Sequence, residues 1–292
     1  NVRVLAGKPP TQLALNTEGL RLGKKEQFAL VPRIGEGEET VYTYLTSNKR
    51  VAVVTAAGVI VARKAGTAKI GVRTHNGLSK IIRVKVTKAP KKVKVSPGTL
   101  ILNAGQTGKL AAKLTKGSSS RLTWTSADPA VAAVDESGAV AALKAGATVV
   151  TARAFNGRKG AANVRVLAGK PPTKLTLNVT AVQLGLKERF LLSPTVEAGE
   201  EAVYTFYTSK KKVATVSADG IITAKRAGTA VITVRTHNGL SAAVTVKVFK
   251  APKAIALSAS KLSLQAGQTA QLSCKVAGGV SAQITWASSD ES

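Results

Sequence analysis

Residues able to do chemistry are few in this sequence, and most of them recur. Two histidines, His75 and His237, stand beside the pairs Asn76-Gly77 and Asn238-Gly239, while the third such pair, Asn156-Gly157, follows Ala154-Phe155. Imidazole can hold a metal or move a proton. Neither histidine has an acidic or thiol partner close in sequence, so both read as exposed turn residues. Cys274 is the single cysteine, which excludes an internal disulfide and any multi-cysteine metal site. It aligns with Ala112 and alternates with Leu272 and Val276, as a buried apolar strand residue does. Glu36, Glu38 and Glu39, matched by Glu200 and Glu201, form the sole acidic cluster. Hard cations need several oxygen ligands, and the neighbouring junctions carry lysine, so a solvated loop is expected there. No glycine-rich loop leads into a helix to cradle phosphate, and no Ser-His-Asp constellation stands out. The sequence therefore assigns no catalytic residue, no metal ligand and no cofactor, and the chain is expected not to be an enzyme.

Charge is the stronger signal. Lys and Arg number 43 against 15 Asp and Glu, a net +28 over 292 residues. The excess is spread along the chain, at +9 for 9–88, +9 for 89–168 and +6 for 171–250. With Ile70, Val72, Val84 and Val86 facing a core, strand alternation turns Lys69, Arg73, Arg83 and Lys85 outward. Arg153 and Arg165, then Arg235 and Lys247, take the corresponding places. These eight are the candidate polyanion-binding residues, on a basic stripe repeating once per unit. Such a field attracts polyanions in a salt-dependent way, so an anionic cell-wall polymer, a glycan or an acidic protein is the expected class of partner. Specific nucleic-acid binding is not expected, because no aromatics interleave with the cations and no recognition helix exists. The alternative is that lysine-rich faces keep a long array soluble and discourage edge pairing.

What positions these residues is a repeat. Asn1 to Pro10 returns letter for letter as Asn163 to Pro172, and at the same offset of 162, 44 of the 78 residues from Thr11 to Lys88 are identical. A weaker repeat lies inside it. The aromatics Tyr44, Trp124, Phe206 and Trp286 recur at steps of 80, 82 and 80, and Gly58, Gly138 and Gly220 keep the first two steps, as do Gly66, Gly146 and Gly228. The expected division is 1–8, the final strand of a truncated preceding domain; 9–88, a long-type domain; 89–170, a short-type domain; 171–250, long-type again; and 251–292, the N-terminal part of a truncated domain. Prolines mark the junctions: Pro9 and Pro10, Pro90, Pro171 and Pro172, and Pro252. Proline fixes φ and lacks a donor, so the joints are expected to be stiff, in a semi-rigid rod cut from a longer array. No apolar run reaches the ~18 residues of a membrane span.

Seven short strands in each unit of about 80 residues, with turn residues every 8–12, indicate an all-β tandem array of β-sandwiches. Each Asn-Gly pair, flanked by alternating apolar residues, reads as a hairpin in which both residues adopt φ > 0. Gly58, Gly138 and Gly220 read as turn glycines, and Gly66, Gly146 and Gly228 as tight or left-handed turns before the hairpin strand. The four aromatics read as the large central plug of each core. From Trp124 to Val140 the pattern Trp-Thr-Ser-x-Asp-Pro-x-Val-Ala-x-Val-Asp-x-x-Gly-x-Val is present in full, followed by Ala145-Gly146 and a hairpin. This resembles the group 2 bacterial immunoglobulin-like domain of intimin- and invasin-like adhesins, other surface proteins and some phage structural proteins. Units 9–88 and 171–250 depart from it by carrying Asn48-Lys49 or Lys210-Lys211 for Asp-Pro, and Tyr44 or Phe206 for Trp. The resemblance implies an extracellular or cell-surface location and a non-catalytic stalk that supports adhesion beside neighbouring Ig-like domains of one longer chain. A binding module using the basic stripe is one alternative. A subunit segment of a filament, surface layer or phage appendage, with homo-assembly, is the other.

Overall fold

The structure, a computed structural model, describes residues 4–250, 254–277 and 284–289. Strands and turns make up the described chain, which is all-β in an immunoglobulin-like arrangement. It divides into two compact units, residues 1–100 with 105–166, and residues 101–104 with 167–292.

In the first unit, residues 14–87 form β1 (Ala14–Leu15), β2 (Gly19–Gly23), β3 (Gln27–Ala29), β4 (Pro32–Arg33), β5 (Tyr42–Thr46), β6 (Ala52–Val54), β7 (Val59–Ala62), β8 (Gly66–Thr74) and β9 (Ser79–Thr87). One sheet runs β2-β9-β8-β5, a second β3-β7-β6, and β1 pairs with β4 alone. That makes nine strands rather than seven. The extra pair is two rungs long and is completed by a side chain: Asn16 donates to the Ala29 carbonyl (3.1 Å) and accepts from the Val31 amide (3.0 Å). Pro32 has no amide hydrogen to extend the ladder. The pairing of β2 with β9 is parallel and its neighbours are antiparallel.

Alternation places the core. Along β8, Ala68, Ile70, Val72 and Thr74 are buried, and along β9, Ile82, Val84 and Val86. Phe28, Ala52, Ile60 and Ala62 from the second sheet close on them. The β-branched majority suits a pleated surface packed on one face.

The same plan recurs in β10 (Val93–Ser96), β11 (Thr99–Asn103), β12 (Thr107–Lys109), β13 (Ala111–Leu114), β14 (Leu122–Ser126), β15 (Ala132–Val134), β16 (Ala139–Ala142), β17 (Gly146–Ala154) and β18 (Lys159–Leu167). Their sheets are β11-β18-β17-β14, β12-β16-β15 and β10-β13. It appears again in β19 (Thr176–Leu177), β20 (Ala181–Gly185), β21 (Arg189–Leu191), β22 (Pro194–Thr195), β23 (Tyr204–Thr208), β24 (Ala214–Val216), β25 (Ile221–Ala224), β26 (Gly228–Thr236) and β27 (Ser241–Phe249). There the sheets are β20-β27-β26-β23, β21-β25-β24 and β19-β22. β28 (Ala254–Leu257) and β29 (Cys274–Ala277) form one antiparallel pair.

Several local expectations need correction. Tyr44, Trp124 and Phe206 are half-buried rather than central. Tyr44 and Phe206 pack against the margin of cores filled by aliphatic residues such as Ile70, Val72, Ile232 and Val234. Trp286 is 53% exposed, because the described residues beyond β28 and β29 supply no second sheet to cover it. Gly66, Gly146 and Gly228 open the long strands β8, β17 and β26 with φ of 152°, 154° and 147°, so they begin strands instead of making turns. What requires glycine at Gly66 is also space, since a Cβ there would meet the Val51 side chain at 2.8 Å. The hairpins depart from the two-residue turn as well. Gly77 has φ 97°, but among the described residues only Lys25 and Lys187 combine a side chain with positive φ, so Asn76, Asn156 and Asn238 do not. The connection has four residues, His75 to Leu78, closed by the Thr74 amide on the Leu78 carbonyl (2.9 Å) and the Gly77 amide on the Thr74 carbonyl (3.1 Å). Gly58, Gly138 and Gly220 sit in turns at φ 77°, 81° and 81°. A Cβ on Gly58 would meet the Leu30 carbonyl and the Tyr44 hydroxyl, both at 2.8 Å.

Candidate functional site

A recurring set of polar side chains bonds where one repeat meets the next. Each Asn of an Asn-Gly pair reaches a junction proline. Asn76 Nδ2 donates to the Pro10 carbonyl (2.8 Å), Asn156 to Pro90 (2.8 Å) and Asn238 to Pro172 (2.7 Å). Pro10, Pro90 and Pro172 are buried, whereas Pro9 is exposed and Pro171 half-buried. Pro252 lies outside the described residues. Thr74 and Thr236 hydroxyls donate to Oδ1 of Asn76 (2.7 Å) and Asn238 (2.6 Å), which fixes those amides. Proline needs its carbonyl partnered like any buried residue, and the turn asparagine does this.

The acidic cluster is a surface loop, with Glu36 exposed, whose other carboxylates also clasp neighbouring backbone. Glu39 Oε2 accepts from the Ala6 and Gly7 amides (2.9 and 3.2 Å), and Glu201 does the same with Ala168 and Gly169 (2.9 and 3.1 Å). Glu38 Oε1 takes both the amide and the hydroxyl of Thr11 (2.9 and 2.6 Å), and Glu200 those of Thr173 at the same distances. The threonine hydroxyl is the main cause holding the Glu38 and Glu200 carboxyls below the usual carboxylate range. Gly7 and Gly169 admit this approach, since a Cβ on either would stand 2.7 or 2.6 Å from the Glu39 or Glu201 Cβ. Among the described residues no three His, Cys, Asp or Glu side chains gather to hold a metal.

Two further residues at the joints carried no obvious sequence signal. Glu26 is 2% exposed; its Oε2 accepts from the Gly23 amide (2.8 Å) and its Oε1 from the Arg121 amide (2.7 Å). Burial pushes its carboxyl pKa up, against the lowering effect of the two amides and the Arg121 charge. The Arg121 guanidinium lies 4.8 Å from the centre of the Phe28 ring, a cation–π contact. Gly23 is pressed into the same place, where a Cβ would meet the Ser119 carbonyl at 2.5 Å and the Phe155 ring at 2.8 Å. A shallow cleft opens beside it, lined by Glu26, Arg121, Trp124, Glu136, Arg153 and Phe155 among others. In the second unit the fully buried Asn103 donates from Nδ2 to the carbonyls of Gly169 (2.7 Å), Lys170 (3.2 Å) and Glu201 (3.1 Å).

That amide decides the state of His237. With Asn103 Nδ2 committed to carbonyls, Oδ1 is an acceptor and His237 Nε2, 2.8 Å away, donates to it. Nδ1 accepts from the Val203 amide (3.4 Å), so the neutral ring satisfies both contacts. Burial holds the His237 pKa below the ordinary imidazole value, while the nearby Glu201 carboxylate opposes that shift. His237 is therefore a half-buried joint residue, a correction to its reading as exposed. His75 is exposed, and its Nδ1 lies 2.7 Å from the Thr40 hydroxyl. Cys274 is half-buried opposite Leu257 in the β28–β29 pair, so its burial is only partial.

The eight candidate cations, Lys69, Arg73, Arg83, Lys85, Arg153, Arg165, Arg235 and Lys247, are all exposed. They do not form an even stripe. Register sets Lys69 opposite Arg83 and Arg21 opposite Lys85. In the next repeat Arg153 faces Lys159, and in the third Arg235 faces Ser241 and Lys247 faces Thr229. The cations are thus densest on residues 14–87.

Among known proteins, a 150-residue stretch is 31% identical to an uncharacterised protein of Clostridium acetobutylicum, covering 50% of this chain and 16% of that protein. Solved structures similar to the chain include domains 1–6 of the surface layer protein SbsC, at 14% identity and TM-score 0.27, covering 85% of this chain and 42% of that one. They also include cadherin domains 1–4 of protocadherin gamma B7, at 10% identity and TM-score 0.24, covering 88% and 82%. Residues 89–166, which carry the Trp124-to-Val140 pattern and the sheets β11-β18-β17-β14 and β12-β16-β15, match the family of bacterial Ig-like domains, group 2, and that segment is such a domain.

Proposed function

We propose that this chain is a non-catalytic structural segment of a bacterial cell-surface or extracellular protein, a stalk of Ig-like modules that spaces and supports an adhesive or assembling part. Its modules are 9–88, 89–170 and 171–250. The observation that carries the reading is the repeated investment of polar side chains in the joints. Three turn asparagines hold three junction prolines, and Glu26, Asn103, Glu39 and Glu201 tie backbone on either side. A spacer works by resisting bending, and Glu26 and Asn103, buried and bonded, oppose a hinge because opening leaves buried groups unpaired. The match of residues 89–166 to group 2 bacterial Ig-like domains supports this reading.

Small-angle scattering of the whole chain tests it. An elongated, narrow distance distribution is expected, and a compact globule would contradict the stalk.

A further inference from the structure

The outward face of the β2-β9-β8-β5 sheet holds its cations in an arrangement that folding does not need. Lys69 lies directly opposite Arg83, and Arg21 directly opposite Lys85, with Arg73 further along β8. Like charges facing each other across a ladder destabilise a sheet. No acidic residue occurs in any of the four strands to offset them. The third repeat shows that the same sheet forms without them. At an offset of 162, Gln183, Val231 and Thr245 replace Arg21, Lys69 and Arg83, and Val231 pairs with Thr245 in the same register. Val and Thr are also the better strand residues. Two opposed cation pairs have therefore been placed where neutral residues would serve folding better.

Between these cations lies an apolar row. Leu45 pairs with Gly71, and Gly71 with Ile81. Leu45 is 60% and Ile81 66% exposed, and Gly71 leaves no side chain between them. Residues two apart on one strand point the same way about 7 Å apart. Arg73 thus flanks the row on one side, and the Lys69–Arg83 and Arg21–Lys85 pairs follow as two successive steps on the other. A flat apolar floor walled by cations matches the apolar face of a sugar ring that carries anionic groups at its edge. Phosphodiester chains or nucleic acid would use the charges but leave the apolar row idle.

We propose that this face binds an acidic polysaccharide, lying along β8 and β9 with a ring over Leu45, Gly71 and Ile81 and its anions on Arg73, Lys69, Arg83, Arg21 and Lys85. The site goes beyond the spacer role and stands on its own observations.

The test follows the Leu45 and Ile81 methyl resonances of the whole chain during titration with dextran sulfate, neutral dextran and duplex DNA, at about 0.15 M salt. Shifts with dextran sulfate and none with neutral dextran are expected. The triple variant R21Q/K69V/R83T takes its residues from the third repeat, whose register is the same. It should weaken dextran sulfate binding roughly ten-fold and, without polymer, melt higher than the parent. The double variant L45S/I81S keeps every charge; its binding, followed by backbone amides of β8 and β9, should also weaken. The proposal is overturned if dextran sulfate leaves the Leu45 and Ile81 methyls unmoved, if either variant binds as the parent does, or if DNA binds the face as tightly as dextran sulfate.

Discussion

Single side chains at the joints decide whether the polar backbone there is satisfied, and Glu26 is the clearest case. Replacing it with Ala leaves the Gly23 and Arg121 amides without their acceptor in a buried place. A loss on the order of 2 kcal/mol in unfolding free energy is expected by denaturant melts, and an unchanged midpoint would remove Glu26 from the joint. His237 carries a pH dependence of determinate sign. Its folded pKa lies below 6.5 because burial disfavours the imidazolium, so as pH falls through about 6.5 the unfolded chain takes up the proton first. Stability drops on acidification until pH passes below the folded value. His237→Gln should remove that part of the slope, and parallel slopes for parent and variant would refute the assignment. Neither residue was legible in the sequence. Glu26 follows Lys24-Lys25 and looks solvated, and only its return as Glu188 beside Gln106 hinted at a position that needs an acceptor. His237 was misread because its partner, Asn103, lies 134 residues away.

Strands and hairpins were readable because period-two alternation is a local property that burial then enforces. Ile70 and Val72 against Lys69 and Arg73 fixed both faces of β8 before any pairing was known. What escaped was held by side chains instead of by pattern. The β1–β4 pair depends on Asn16, and the four-residue hairpin loop depends on Thr74. The aromatics misled for a related reason: size predicted the centre of the core, but Ile and Val fill it and the rings close its margin. One turn offers a direct check. Lys25 adopts φ 75° where the second repeat has Gly105 at φ 84°. A side chain in the left-handed region costs on the order of 1 kcal/mol, so Lys25→Gly should raise thermal stability, and a fall in melting temperature would show that its side chain packs. Gly58→Ala should do the reverse, since its Cβ would collide with the Leu30 carbonyl and the Tyr44 hydroxyl.

For the molecule as a whole, the offset of 162 residues announced an array, and several of the residues with chemistry make hydrogen bonds at its joints. His237 bonds the Val203 amide and Asn103, Glu39 and Glu201 bond backbone amides, and Glu38 and Glu200 bond the amide and hydroxyl of Thr11 and Thr173. The basic face of residues 14–87 is the exception, with cations that the third repeat shows to be dispensable for the register. Joint stiffness is what the proposed spacer requires. It can be measured with spin labels at Thr43 and Thr125, exposed on β5 and β14, in a chain whose native thiol is removed by Cys274→Ala. Pulsed dipolar spectroscopy should give one narrow distance distribution across the Glu26–Arg121 joint, and Glu26→Ala should broaden it. A broad distribution in the parent, or one that Glu26→Ala leaves unchanged, would contradict a braced joint and the stalk built from it.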